Sequence, residues 1–377
     1  MALCPFVIAD PAHAQAPPPV ISYTSGAVNG SATSGMFDAS QSFMRRLLAH
    51  TNTQLPAVQT TALPFADTGS GALALADPLA PPPPAIPGLL AIADTKAQAA
   101  QAAATPAPRY RTWFEGYASA TRTGPQDLFP GDHRSIYGGV AGVGMTLVPG
   151  VNASLSVDQG RTKIDLPIDQ QNGRLDLTQI GAALNFENGP WALGVAGVAG
   201  FGNIHSSRIS GTTEATASYG SRLWAASTEL SYYWSSGAWR VVPKAGLDWM
   251  ATRIDAFSET GGSVPVNSAV QNSNRFRTFG GAEVGYTTYP NGMMQDVSVY
   301  ARVVDVLSQS VDPLVLTATG AATRTINGVF DDKVELDAGA GYSVRVAPMV
   351  KLYALYDGAW RKTYYSHTGT LGVEVRW

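Results

Sequence analysis

From Tyr110 to Trp377 the chain alternates apolar and polar residues with a period of two, the signature of strands lying between two different environments. At 334–346, Val334, Leu336, Ala338, Ala340, Tyr342, Val344 and Val346 fall on one face. Glu335, Asp337, Gly339, Gly341, Ser343 and Arg345 fall on the other. The same split sets Trp239, Val241, Ala245, Leu247 and Trp249 against Arg240, Lys244, Gly246 and Asp248. One face suits hydrocarbon and the other a polar interior. Only 14% of residues are charged, against about 25% in soluble domains, so part of the surface must meet something other than water. The longest apolar run, WALGVAGVAGF at 191–201, is shorter than the roughly 20 residues a spanning helix needs.

Twelve strands are predicted, over 110–121, 135–148, 151–163, 174–186, 191–205, 218–234, 238–253, 275–288, 293–307, 333–346, 349–360 and 363–377. Tight turns at Pro149-Gly150, Asn188-Gly189, Ser236-Gly237, Asn291-Gly292 and Ala347-Pro348 follow the even-numbered strands. Longer polar loops, such as 258–274 and 308–332, follow odd-numbered ones. A soluble β-sandwich has no reason to alternate in this way, whereas a membrane barrel has short turns on one side and long loops on the other. Phe186, Trp191, Trp234, Trp239 and Tyr289 beside the tight turns would form an aromatic girdle. The fourth strand slips phase between Leu177 and Ile180, which predicts a β-bulge. The expected fold is all-β: a twelve-stranded antiparallel transmembrane β-barrel over residues 109–377.

Ahead of the barrel, residues 1–14 read as a truncated signal peptide, ending in Ala12-His13-Ala14 but lacking a basic residue before its apolar stretch. Cleavage there would remove Cys4, the only cysteine. Residues 15–88, rich in Pro, Ala, Ser and Thr, read as disordered linker or passenger remnant. They are interrupted by one island, 37–48, where Phe37, Met44, Leu47 and Leu48 share a helical face and suggest a short docking helix. Residues 89–105, with the alanine-rich LLAIADTKAQAAQAAA stopped by Pro106 and Pro108, predict a helix of about 24 Å, close to the height of a barrel's membrane band.

The inward faces carry both signs: Glu115, Glu229, Arg240, Lys244, Asp248, Glu335, Asp337, Arg345, Lys351, Glu374 and Arg376 are the lumen-facing candidates. Mixed charge suits packing around a helix better than a selective ion pore. His13, His50, His133, His205 and His367 are widely separated with no ligand spacing, so no metal or cofactor is expected. No nucleophile elbow or phosphate loop is present, and enzymatic function has no positive support. A protease site at the loop rim, built from Asp331-Asp332 and the histidines near it, is the enzymatic alternative. A net charge of -3 with scattered arginines argues against nucleic acid.

With these residues in view, residues 110–377 resemble the translocator domain of the autotransporters, the type V secretion family. Trp113-Phe114-Glu115-Gly116-Tyr117 is similar to the family's opening strand, 137–144 (YGGVAGVG) to its Gly-rich second strand, and Pro149-Gly150-Val151 to the turn that follows. Thr370, Gly372, Val375 and the terminal Trp377 fit the spacing of its assembly signal. The resemblance implies a monomeric barrel in the outer membrane of a Gram-negative bacterium, with both barrel ends on the periplasmic side. Its lumen would hold the preceding helix, assigned to 89–105. The implied partners are outer-membrane lipid, periplasmic chaperones and the barrel-assembly machinery. The implied function is to anchor and help export an N-terminal passenger, here very short or absent, since 15–87 has no β-helix repeat. No asparagine lies in 89–104, so the intrahelical cleavage of some relatives is not expected. A channel or a surface-loop adhesin barrel is the alternative. Deleting Trp377, or replacing it with Asp, should lower the yield of heat-modifiable folded barrel in outer-membrane fractions; unchanged yield would remove the assembly role from this segment.

Overall fold

The structure is a computed structural model that describes residues 21–22, 25–53, 109–126, 129–167 and 170–377. One strand follows another around a closed antiparallel barrel: β1 (Tyr110–Thr123), β2 (Asp132–Val148), β3 (Val151–Asp165), β4 (Asn172–Asn188), β5 (Trp191–Ser210) and β6 (Thr213–Tyr232) form one half. β7 (Trp239–Ile254), β8 (Gln271–Thr288), β9 (Gln295–Val311), β10 (Val334–Ala347), β11 (Val350–Arg361) and β12 (Tyr364–Arg376) form the other. Each strand pairs with its sequence neighbours, and β1 pairs with β12 in a continuous register from Arg111 opposite Arg376 to Thr123 opposite Tyr364. No edge in the wall is left to present unpaired backbone to lipid.

The five tight turns lie together with Tyr110 and Trp377 at one end of the barrel, here termed the turn end. Gly150, Gly189, Gly237 and Gly292 adopt positive φ in four of them, a conformation that L side chains resist. At the loop end the expected alternation holds only in part. Residues 206–217, predicted as a loop, continue the ladder, so β5 and β6 form a hairpin of two 20-residue strands closing at Gly211. β11 and β12 also meet in a short turn at Lys362-Thr363. The β7–β8 and β9–β10 loops are long and fold on each other. Their segments Phe257–Ser258, Asn267–Ser268, Leu314–Thr317 and Arg324–Ile326 make a separate four-stranded sheet over the mouth.

The wall separates its two faces as the period of two requires. Leu336, Leu247, Trp249 and Val334 are exposed, whereas Glu335, Asp337, Arg240 and Asp248 are buried inside. At the turn end Phe186, Trp191, Trp234, Trp239 and Tyr289 all face outward. Neighbouring aromatics extend the belt: Trp191 packs edge-on against Tyr232 at 4.8 Å and Tyr110 stacks near Trp377 at 6.3 Å. The bulge predicted in β4 is absent; its register with β3 and β5 is unbroken. Leu175 and Leu177 point inward and Asp176 and Thr178 outward. What looked like a slip of the backbone is a change of environment, because the lumen beside β4 at the loop end is apolar. Register shifts occur at Thr146/Val148, Phe276/Arg277 and Arg345/Ala347.

Inside the barrel lies α1 (Ala27–Thr51), about 37 Å long at 1.5 Å per residue. It corrects the reading of this part of 15–88 as linker, and the docking helix expected at 37–48 is its C-terminal half. The segments 1–14 and 89–105 lie outside the described residues. Leu336→Arg should destabilise the barrel in lipid vesicles by about 2–4 kcal/mol, while Ser343→Arg, on the opposite face beside an internal cavity, should cost much less. Urea unfolding in vesicles reads both, and equal penalties would contradict the assignment of faces.

Candidate functional site: a helix-filled pore

The first half of α1, AVNGSATSG, contains no strong helix former beyond alanine, so its helicity comes from the space it fills. Gly26, at φ 85°, precedes the first turn, and a Cβ there would lie 2.2 Å from Leu314 Cδ2 in the covering sheet. Only glycine fits that entry. Gly30 likewise has Val329 where a side chain would go, 2.6 Å from its ideal Cβ.

Three apolar layers then hold the helix against one side of the wall. At the loop end Val28, Ala32 and Met36 pack with Ile164, Leu175, Ile204, Leu223, Leu314 and Leu316. Midway, Phe37, Phe43 and Met44 meet Val140, Val198, Ala225 and Met250. Near the turn end Leu47 and Leu48 meet Trp113, Ala183 and Ala196. Small wall residues make this approach possible: a Cβ on Gly181 would lie 2.8 Å from Leu47 Cδ2, and one on Gly194 2.9 Å from Leu48 Cδ2.

The other side of α1 is polar and meets a charged wall. Arg45 lies 3.5 Å from Asp337 and 3.9 Å from Asp357, and its Nη1 donates to Tyr300 Oη at 3.3 Å. Arg46 lies 3.7 Å from Glu115 and stacks over the Tyr117 ring at 4.1 Å. Arg134 reaches in from β2 to Asp38 at 3.3 Å and donates to Ser31 O at 3.2 Å.

One turn after Arg46, His50 sits in the most concentrated cluster. Its Nε2 is 2.8 Å from Glu115 Oε1, its Nδ1 is 3.2 Å from Glu374 Oε2, and its ring stacks on Trp113 at 4.5 Å. Tyr353 Oη donates to Glu115 Oε1 at 2.8 Å, and Lys351 Nζ is 3.0 Å from Glu374. Glu115 is on β1 and Glu374 on β12, so one imidazole joins the two strands that close the barrel. Below it the helix end is fixed: Arg111 donates to Thr51 O at 3.0 Å, Thr51 and Ser154 hydroxyls are 2.5 Å apart, and the Thr53 backbone N–H donates to Glu187 at 2.7 Å.

The remaining lumen-facing candidates form the wall opposite the apolar layers. Arg240 pairs with Asp296 and with Glu283, and Lys244 lies 3.3 Å from Glu283 and 3.7 Å from Glu229. Asp248 accepts from Arg277 at 2.8 Å, Glu335 lies between Arg277 and Arg361, and Asp337 accepts from Arg302 at 2.7 Å. Arg376 pairs with Glu374, and Arg345 is half-buried opposite Lys351 at the turn end. Between this wall and α1 lies a cavity of about 240 Å³, lined by Arg45, Glu229, Lys244, Glu283, Tyr300 and Ser343 among others.

Of the assembly-signal candidates, Thr370 points inward and is buried, and Trp377 is exposed, with its backbone exchanging hydrogen bonds with Tyr110 at 2.9 and 3.0 Å. A Cβ on Gly372 would fall 2.3 Å from the Tyr353 ring. Val375, on the outward face, pairs with Thr112 and Val350.

At the loop rim Asp331 is taken up by Arg275 and Arg361, and Asp332 accepts from the Thr363 N–H and hydroxyl, each at 2.9 Å. His133, His205 and His367 lie on outward positions of β2, β5 and β12, and His367 Nδ1 is 2.7 Å from Tyr356 Oη. The rim acids and these histidines are therefore not brought together among the described residues. Sequence reasoning missed His50, and with it Arg277, Glu283, Asp296 and Arg302. The available signal was Arg46 and His50 one turn apart on a helix whose adjacent face is apolar.

A helix running the length of a twelve-stranded barrel can be compared with known proteins. The autotransporter beta-domain family matches residues 112–357. The translocator domain of the autotransporter NalP from Neisseria meningitidis superposes with a TM-score of 0.60 at 17% identity, covering 76% of this chain and 96% of that one. The beta domain of the Bordetella autotransporter BrkA gives a TM-score of 0.49 at 16% identity, covering 71% and 99%. No functionally curated protein sequence matches the chain. The family is one of transport barrels, not of catalysts, and its members are outer-membrane proteins of Gram-negative bacteria. On the match over 112–357, the chain belongs to the autotransporter beta-domain family, as an outer-membrane translocator barrel.

Proposed function

We propose that Ala27–Thr51 is the pore helix of this translocator, and that it serves both as the plug of the lumen and as a clamp on the seam between β1 and β12. The observation that carries the reading is His50, held between Glu115 and Glu374 on the two closing strands. In this proposal the exported segment is the chain N-terminal to Gly26, which leaves through the loop end at the cell surface. The helix exits at Thr53 by the periplasmic turns, since Glu187 beside Asn188-Gly189 holds it there. Thr53 and Arg109 then lie at the same rim. The proposal includes delivery by periplasmic chaperones, insertion by the barrel-assembly machinery through the 370–377 segment, and no enzymatic activity of the barrel itself.

The charge layout supports a resting plug more than a conduit. Cations and carboxylates along the open side of α1 are paired with each other, so an ion entering the cavity would meet little net field. Removing one partner of a buried pair costs about 3–5 kcal/mol because the other is left buried and alone.

Two expected outcomes follow. In a Cys4→Ser background, Thr51→Cys with Ser154→Cys should form a disulfide, visible as a reduction-sensitive mobility shift, and the linked barrel should be silent in planar bilayers. Deleting 27–51 should open it. If the linked and helix-deleted proteins conduct alike, α1 is not the plug. Separately, His50→Ala should lower the temperature at which the barrel loses its heat-modifiable mobility, and the His50→Ala/Glu115→Gln pair should lose less than the sum of the single variants. Additive losses would show that the clamp is not a coupled unit.

A further inference from the structure

The outer wall carries a second pattern that a translocating pore does not use. Toward the loop end, the outward positions of five of the first seven strands, β1, β3, β4, β6 and β7, change from apolar to basic. On β3, exposed Leu155 and Val157 give way to Arg161 and Lys163; on β4, Ile180 gives way to Arg174; on β6, Trp224 to Arg222; on β7, Trp249 to Arg253. Arg122 on β1 stands at the same end. The outward positions of β8 to β12 hold no Arg or Lys at all; there the wall ends in residues such as Asn272, Asn274, Val334 and Tyr365. The basic collar therefore covers one flank.

Its internal arrangement costs stability unless an anion is present. Lys163 and Arg174 are direct cross-strand partners, as are Arg222 and Arg253, and like charges in that relation repel. Neutralisation from within the collar is incomplete. Asp176 serves both Arg161 at 2.5 Å and Arg174 at 3.0 Å, and Asp255 lies 3.7 Å from Arg253. Lys163 lies over the Tyr137 ring at 5.9 Å, with no acid at ion-pair distance among the described residues, and the same holds for Arg222. Arg161, Arg174 and Arg253 remain close to half exposed, at 44%, 45% and 46%.

In the membrane this flank lies where the apolar band meets the headgroups of the outer leaflet. Arginine offers paired N–H donors that match phosphate oxygens, and clustered basic residues at a membrane surface select anionic lipid. We infer that the β3–β4 and β6–β7 patches bind the phosphates of an outer-leaflet glycolipid, orienting the barrel with one flank against phosphorylated lipid. The occupant is a lipid because the patch is continuous with the lipid-facing wall: Val157 and Leu155 would meet its acyl chains while Arg161 and Lys163 meet its headgroup.

The test uses the full chain in detergent micelles, titrated with bis-phosphorylated lipid A and with its dephosphorylated form, with bound lipid counted by native mass spectrometry. Two variants are compared with wild type: Arg161→Gln/Lys163→Gln/Arg174→Gln, and Arg222→Gln/Arg253→Gln, the second of which relieves a repulsion and so should fold. Lys362→Gln, on the opposite flank, is the control. Each removed charge should weaken binding about fivefold, with the control unchanged and the dephosphorylated lipid weak on every protein. Retention of lipid A by both variants at the wild-type level would overturn the assignment. So would equal competition by inorganic phosphate, which would make the patches ion sites without a lipid preference.

Discussion

A backbone N–H or C=O facing hydrocarbon has no water to bond, and that constraint fixes the molecule more than any side chain does. The wall meets it only when β1 finds β12, because every other pairing joins strands that are neighbours in sequence. The closing pair joins residues more than 240 positions apart, and its thirteen registered pairs must all be in phase. Loop closure over such a span carries an entropic cost that local hairpins do not. The seam is thus the least locally encoded contact in the barrel, and it is here that α1 contributes Arg46 and His50 to Glu115 and Glu374. The helix stabilises the pairing that the chain has least help in finding.

The same placement explains the lumen's asymmetry. Apolar layers hold α1 to the β2–β7 side, where Gly173, Gly181 and Gly194 let Val28, Leu47 and Leu48 approach closely. On the opposite side long charged residues span the remaining width and pair among themselves. A wall of small residues alone would leave the helix free to slide, and a wall of charges alone would require every helix position to carry a partner. Buried ion pairs contribute little net stability but penalise any other register heavily, since a shifted helix would strand charges in a dry interior.

The barrel was legible in the sequence because lipid imposes a period of two on every strand and short turns use glycine at fixed positions. Legibility failed where the environment, not the period, changed. Leu175 and Leu177 looked like a slip because lumen residues were assumed polar, yet they face Val28 and Met36 under the covering sheet. Residues 206–217 looked like loop because Ser206, Ser207, Ser210 and Gly211 are turn-formers, although the ladder runs through them. The helix was half visible: Phe37, Met44, Leu47 and Leu48 gave its face, whereas Gly30, Ser31, Thr33 and Gly35 hid its first three turns. Those residues are poor helix formers that the narrow mouth requires. His50 was hidden because its partners lie 65 and 324 positions away.

How α1 is held at its two ends decides which way it could move. At the periplasmic end its last residues are held by polar contacts with Glu187, Arg111 and Ser154. At the outer end Gly26 and Val28 lie beneath Leu314, Leu316 and Val266 of the sheet made by two long loops. Polar contacts exchange readily with water, whereas withdrawing the apolar layer exposes both the helix and the underside of the sheet at once. Outward release would therefore require the covering sheet to lift as a unit, since its strands come from two loops joined edge to edge. The loops that close the mouth would for this reason belong to the proposed plug, with the helix seated from above by packing and registered from the side by charge.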